Sequence, residues 1–280
     1  MKFFLLPIST RRTLLYCQKI QVLPKEKQSI VDKATVRAAK LWSGWEKKEA
    51  GWQKKVVVYG NSLLRRIHFE EWGLKSVPPL STKRREEEVL GKDKNQLIYP
   101  EDIIPTKHAV NVLRALGTDR EPLHKTRLIW CLIGMPISAP FALVPVIPNL
   151  PFFYLMYRAW SHWRALAGGK HIRFLCDNNL LSLSPSPVLN SIYTPLLGHF
   201  ALPKDSKADI GGATPLPDNT SKVSEDETLL LSQDKGRQLV RALEIPELEV
   251  ELERAIWQVE TAIQREKEKK AKPPDATKTK

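Results

Sequence analysis

The sequence predicts a mainly α, membrane-associated helical protein with a proline-broken apolar hairpin and room for a few short strands. Three observations predict it. Leu128 to Tyr157 is thirty residues long, holds no Asp, Glu, Lys, Arg or His, and contains five prolines. Around it lie segments whose apolar residues recur at helical steps. The formal net charge is +13 over 280 residues, with a pI near 9.6, which calls for an anionic partner surface.

The first segment, residues 1–24, carries Lys2, Arg11, Arg12 and Lys19, with Ser9, Thr10 and Thr13 set among apolar residues. That is the composition of a mitochondrial import signal, and Phe3 to Ile8 also reads as a first strand. Thirteen Lys/Arg against four Asp/Glu lie in residues 1–60, so most of the positive excess sits at this end. From Lys25 to Trp52, Ile30, Ala34, Ala38, Leu41 and Trp45 fall on one side of a wheel and the lysines largely on the other. This spacing predicts a basic amphipathic helix, packed on the protein or laid on an anionic leaflet. Helix is expected again over Gln53 to Glu71, ending near Gly73 before Val77-Pro78-Pro79. Ser81 to Lys94 reads as a solvated charge run. A short helix follows Pro105, with Val110, Leu113 and Leu116 inside and Gly117 as its stop.

The apolar hairpin, residues 128–157, is long enough to enter a bilayer and too often interrupted to cross as one straight helix. Lys125 and Arg127 flank one end, Arg158 and Arg164 the other, so basic borders on both sides favour a dip and return. A core hairpin in a soluble protein is the competing reading. The clearest helix spans 150–167, with Asn149 placed to cap it, Pro151 in its first turn and Gly168-Gly169 as its end. Tyr157, Trp160, Trp163 and Arg164 are expected as membrane-interface anchors. Asn149, Tyr154, Arg158, Ser161 and His162 are candidate ion or lipid contacts. An interfacial polar stripe that only sets helix depth is the plainer alternative.

His171 to Cys176 reads as a short strand or helix end, and Leu183 to Pro195 as an extended segment. With residues 25–200 forming one domain, 201–228 is a linker too polar to fold, and 229–270 a C-terminal amphipathic helix broken at Pro246. Its stripe, Leu239, Leu243, Leu248, Leu252, Ala255, Ile256, Val259 and Ile263, is expected to meet a partner helix. Residues 271–280 form a basic tail.

Cys17, Cys131 and Cys176 stand far apart, without a C-x-x-C pair or a neighbouring histidine, so neither a disulfide framework nor a metal site is expected. No phosphate-cradling, dinucleotide, nucleophile-elbow or zinc-protease signature occurs. The chain is therefore expected to be no enzyme, to need no cofactor, and to bind no nucleic acid. No carboxylate lies between Glu121 and Asp177, so the hairpin lacks the acid that a cation/proton exchanger ordinarily uses.

The run from Pro148 to Tyr154, PNLPFFY, continuing as YRAWSHWRA from Tyr157 to Ala165, resembles the mitochondrial K+/H+ exchange-related proteins found chiefly in fungi. Phe4 to Arg12 and Leu183 to Tyr193 are similar to further parts of that pattern, so the resemblance covers roughly residues 1 to 200. It implies a mitochondrial inner-membrane protein concerned with matrix potassium and proton balance, working within a larger assembly, and it transfers no catalytic residue. Combined with the missing carboxylate, it favours an accessory or regulatory role over a self-sufficient antiporter. The expected partners are an anionic phospholipid membrane, other inner-membrane proteins through the C-terminal helix, and potassium and protons handled directly or indirectly. The alternative is a membrane-attached scaffold or assembly factor without an ion role.

Overall fold

The computed structural model describes residues 1–18, 37, 40–91, 95–138, 140, 150–197 and 227–271. The fold is mostly helical with one small sheet. Strands β1 (Lys2–Pro7), β2 (Thr13–Gln18), β3 (Asn95–Tyr99) and β4 (Leu181–Pro185) lie in the order β2-β1-β3-β4. β1 runs parallel to β3, with Phe3 opposite Leu97 and Phe4 opposite Ile98. Parallel strands need a long crossover, which the helices between them supply. Phe3, Leu5 and Leu6 are fully buried, and burial of both faces explains why β1 is a continuous apolar run with no alternation. β3 carries no apolar run and is not foreseen by sequence pattern; only Leu97 and Tyr99 are large buried side chains in it.

The chain divides into two compact units. The first comprises Met1–Phe4, Leu15–Ile98 and Lys107–Ser184. Its helices include α1 (Trp52–Arg65), α2 (Phe69–Ser76), α3 (Thr82–Val89), α4 (Thr106–Thr118), α5 (Glu121–Ser138) and α6 (Leu150–Asp177). The single helix expected over Gln53 to Glu71 is thus two, parted at Arg66 to His68. The expected charge run contains α3, capped by the Ser81 hydroxyl, which accepts from the Arg84 amide. One of its acids is not solvated. Glu88 is buried and accepts from His171 Nε2 at 2.8 and 2.9 Å, while His171 Nδ1 donates to the Pro78 carbonyl at 2.7 Å. Both ring nitrogens face acceptors, so this pair pins α3 and the Pro78 turn onto α6.

α6 is the longest helix among the described residues and corrects the expected stop at Gly168-Gly169, since it runs on through His171 to Asp177. These glycines do not take the left-handed conformation of a helix cap. A Cβ on Gly168 would lie 2.1 Å from the Leu74 carbonyl oxygen, and one on Gly169 would lie 2.4 Å from that of Gly117. They are contact points where α2 and α4 approach α6 backbone to backbone. Pro136, expected to interrupt the apolar segment, lies inside α5. It takes from the helix the bond its amide would have made to the Leu132 carbonyl, and two residues on, Ser138 Oγ donates to the Met135 carbonyl. Asn149 and residues 139 and 141–148 of the hairpin lie outside the described residues, as do most of 25–39 and 201–226. Among the described residues no helix is long and apolar enough to cross a membrane.

The second unit comprises Leu5–Leu14, Tyr99–Thr106 and Pro185–Lys280, with α7 (Pro187–Leu197), α8 (Gln233–Leu243) and α9 (Leu248–Ala271). The expected extended segment after Leu183 is therefore strand only to Pro185 and helix beyond. Tyr193 is fully buried and donates to the Pro7 carbonyl at 2.9 Å; burial pushes its phenol well above the usual range. The Leu230 amide donates to the Ile8 carbonyl, and Glu227 accepts from Ser9 and pairs with Arg12 at 3.2 Å. The C-terminal stripe does not face outward as expected. Leu248, Leu252, Ala255, Ile256 and Val259 are buried within this unit, and α8 packs on α9 where Gly236 meets the Ile256 side chain.

Candidate functional site

Three helices of the first unit, each half-apolar, bring their polar residues to one buried point. On α2, Glu70 and Glu71 follow each other, so they point about 100° apart. Glu70 turns outward to Arg120, while Glu71 turns in beside Phe69 and Leu74 toward α6 and is 2% exposed. Lys75 follows one turn later on the same face. α6 supplies Arg158, Ser161 and His162, all buried, and α5 supplies His124.

Arg158 grips Glu71 with two bonds, Nη1 to Oε1 at 2.8 Å and Nη2 to Oε2 at 3.1 Å. This fork-to-fork pairing is the strongest geometry available to a carboxylate. Ser161 Oγ donates to Glu71 Oε1 and accepts from Lys75 Nζ at 3.0 Å. The Lys75 ammonium also donates to the Tyr157 hydroxyl at 3.3 Å and sits 3.4 Å from the centre of the Trp72 ring, with the Tyr157 and Trp160 rings at 5.4 and 5.7 Å. Arg158 Nη2 lies 3.0 Å from His162 Nε2, and His162 Nδ1 lies 3.0 Å from His124 Nδ1.

These distances fix the tautomers. A guanidinium only donates, so His162 Nε2 must accept and the proton sits on Nδ1. That proton points at His124 Nδ1, which must accept in turn, leaving the His124 proton on Nε2. His124 Nε2 is buried and has no hydrogen-bond partner among the described residues. The result is a one-way chain of neutral rings leading from the ion pair.

Electrostatics agree. Burial raises Glu71, but the Ser161 hydrogen bond and the Arg158 charge reverse this and hold it below its ordinary 4.5. Burial pushes His162 down to about 4, with Glu71 opposing and Arg158 adding to the shift, and burial lowers His124 as well. Protons therefore bind the unfolded chain more readily than the folded one. For His162 the stability is fully present above pH 6.5 and is lost as the pH falls toward about 4. Urea unfolding at pH 5 is expected to show about 2 kcal/mol less stability from this residue than at pH 7.5. His162→Gln should flatten that dependence; an equal slope in the variant would refute neutral burial.

Glu71, His124 and His162 also place one ligand atom each within 4.8 Å of the others, the count and spacing of a metal triad. The surroundings do not fit an ion. Metal at His162 Nδ1 would put the ring proton on Nε2, facing the Arg158 guanidinium donor, and Arg158 and Ser161 already take three of the four acceptor positions of Glu71.

Of the residues expected to contact ions or lipid, Arg158, Ser161 and His162 converge here, while Tyr154 lies 40% exposed toward the start of α6. Asn149 is outside the described residues. Among the expected interface anchors, Tyr157 and Trp160 have their rings beside the Lys75 ammonium, Arg164 donates to the Lys75 carbonyl, and Trp163 is 45% exposed. Sequence reasoning missed Glu71, Lys75 and His124. The one signal was the i, i+4 pairing of Glu71 with Lys75 on an otherwise apolar turn.

A family model described as mitochondrial K+-H+ exchange-related matches residues 2–176. An uncharacterized protein of Schizosaccharomyces pombe is 34% identical over 170 residues, covering 60% of this chain and 72% of its own. An uncharacterized protein of Saccharomyces cerevisiae is 27% identical across 92% of this chain and 84% of its own. No solved structure matches.

Proposed function

The chain belongs to the mitochondrial K+-H+ exchange-related family, and from that premise we propose that it supports or regulates K+/H+ exchange at the mitochondrial inner membrane as one component of a larger complex. The observation that carries the accessory role is the state of Glu71. The fold brings a carboxylate to the hairpin helices after all, from 87 residues away in the chain. Yet Arg158 and Ser161 hold it ionised, so it does not pick up and release a proton near neutral pH as an exchange site must. The cluster fits a rigid structural centre better than a transport site.

Seating at the membrane is supported by apolar side chains left in the open. On α5, Ile129, Trp130, Leu132, Ile133 and Ile137 are exposed, and on the first turns of α6 so are Phe153, Tyr154 and Met156. Trp130 and Ile137 each expose more than two thirds of their surface, 68% and 69%. Lys125 and Arg127 lie at the base of this apolar face, where anionic headgroups attract them. We place the face in one leaflet without a crossing. Contacts to neighbouring proteins are proposed through Val250 and Trp257, which remain exposed on α9 after its stripe is buried. In this reading the protein catalyses no covalent reaction.

Mitochondria lacking the protein are expected to swell in potassium acetate at less than half the normal rate, with recovery when the chain is supplied again. Unchanged swelling would sink the exchange role and leave a scaffold.

A further inference from the structure

An open groove of about 510 Å³ lies along α6 on the side away from the Glu71 cluster's partners, bordered by the Pro79-Leu80 turn and by Arg85 of α3. Its volume is that of a ligand site. Trp163, Ala167, Lys170, Phe174 and Asp177 recur at steps of three and four, so they form one row along the helix. The row is graded. Its N-terminal part is Trp163 and Ala167, facing Leu80, and is apolar. Its C-terminal part gathers Lys170, Arg173 and, from α3, Arg85, whose guanidinium lies 5.2 Å from the centre of the Phe174 ring.

The charges at that end are not cancelled. Asp177, the one acid lining the cavity, is held by Arg114 at 2.7 Å, and Arg173 is taken by Glu121. Among the described residues neither Lys170 nor Arg85 has a carboxylate partner. Two cations thus face the cavity beside an aromatic ring and an apolar trough. The row spans fourteen steps of 1.5 Å, about 21 Å. Of this, the seven steps from Trp163 to Lys170 are about 10.5 Å, so the trough holds the headgroup-proximal part of an acyl chain that fills one leaflet, about 15 Å, and the rest of the chain runs on past Trp163. The buried His171–Glu88 pair holds α3 in place and so keeps the wall formed.

We propose that this groove binds a single anionic phospholipid, its phosphate between Arg85 and Lys170 and one acyl chain running toward Trp163. The apolar end of the groove lies toward the same end of α6 as the exposed Phe153, Tyr154 and Met156, so the chain points the way the helix meets the leaflet. The site is distinct from the exchange role, because lipid retention by the purified chain is read without ion flux.

The full chain is incubated with phosphatidylcholine vesicles doped with phosphatidylglycerol, re-isolated by affinity, and its retained lipid counted by mass spectrometry. Close to one phosphatidylglycerol per chain is expected, enriched over phosphatidylcholine. Arg85→Glu with Lys170→Glu should retain about twenty-five-fold less, since each basic side chain near an anionic headgroup contributes about five-fold. Both side chains are at the surface, and an unchanged circular dichroism spectrum verifies the fold. Trp163→Ser, which leaves the charges intact, should weaken retention without abolishing preference for the anionic headgroup. Equal retention by the charge variant, no retained lipid, or binding of inorganic phosphate without any lipid would each overturn the proposal.

Discussion

Glu71→Ala is expected to lower the unfolding free energy by about 3–5 kcal/mol, the loss seen when one partner of a buried ion pair is removed. Arg158 is only 8% exposed, and among the described residues the guanidinium would be left with the neutral Nε2 of His162 and no anion. The Lys75 ammonium would worsen matters, because the Ser161 hydroxyl links it to the same carboxylate. Adding Arg158→Met to Glu71→Ala should recover much of the loss, since it removes the unpaired charge and fills the space with an apolar chain. Urea denaturation of the wild type, both single variants and the double variant measures this. A loss below about 1 kcal/mol for Glu71→Ala, the range of an exposed pair, would show that the carboxylate is not buried as described.

Gly168→Ala is expected to be the most damaging single-methyl addition in the first unit. The new Cβ would meet the Leu74 carbonyl at 2.1 Å, and a backbone atom at the end of α2 cannot swing aside like a side chain. Overpacking of this kind costs about 1–3 kcal/mol and here belongs at the upper end, because shifting α2 also moves Glu71 and Lys75 away from α6. Gly134→Ala is the matched control. Its Cβ meets only the Leu155 side chain, at 3.1 Å, and helix interiors gain up to about 1 kcal/mol from the same change. Thermal melts that rank the two variants equally, or in reverse, would refute the close approach of α2 to α6.

The two glycines illustrate what the sequence could tell and what it could not. Gly-Gly after an amphipathic stretch is the ordinary sign of a helix end, and local chemistry offers nothing to distinguish a stop from a contact. The distinction comes from Leu74 and Gly117, distant in the chain. Glu71 was hidden for the same reason. Beside Glu70 it looks like a solvated pair, and only the approach of Arg158 and Ser161 turns one of them inward. By contrast, the helix beginning at Leu150, the strand character of Phe3 to Pro7 and the short helix after Pro105 were legible, because each rests on a local signal: proline in a first turn, a short continuous apolar run, and helical periodicity. Arg158, Ser161 and His162 were legible as a group through their shared helical face, but their counter-charge was not. The C-terminal stripe was read correctly as apolar and wrongly as outward-facing, since amphipathicity states that a face is covered and not by what.

β1 occupies an interior place in the sheet, between β2 and β3. Proteolytic trimming that removed residues 1–18 would delete both β1 and β2 and bare one flank of β3, leaving a two-stranded ribbon too small to persist and a template for strand exchange with another molecule. A route into the organelle that reads these residues as an address therefore requires that the address stay attached after delivery.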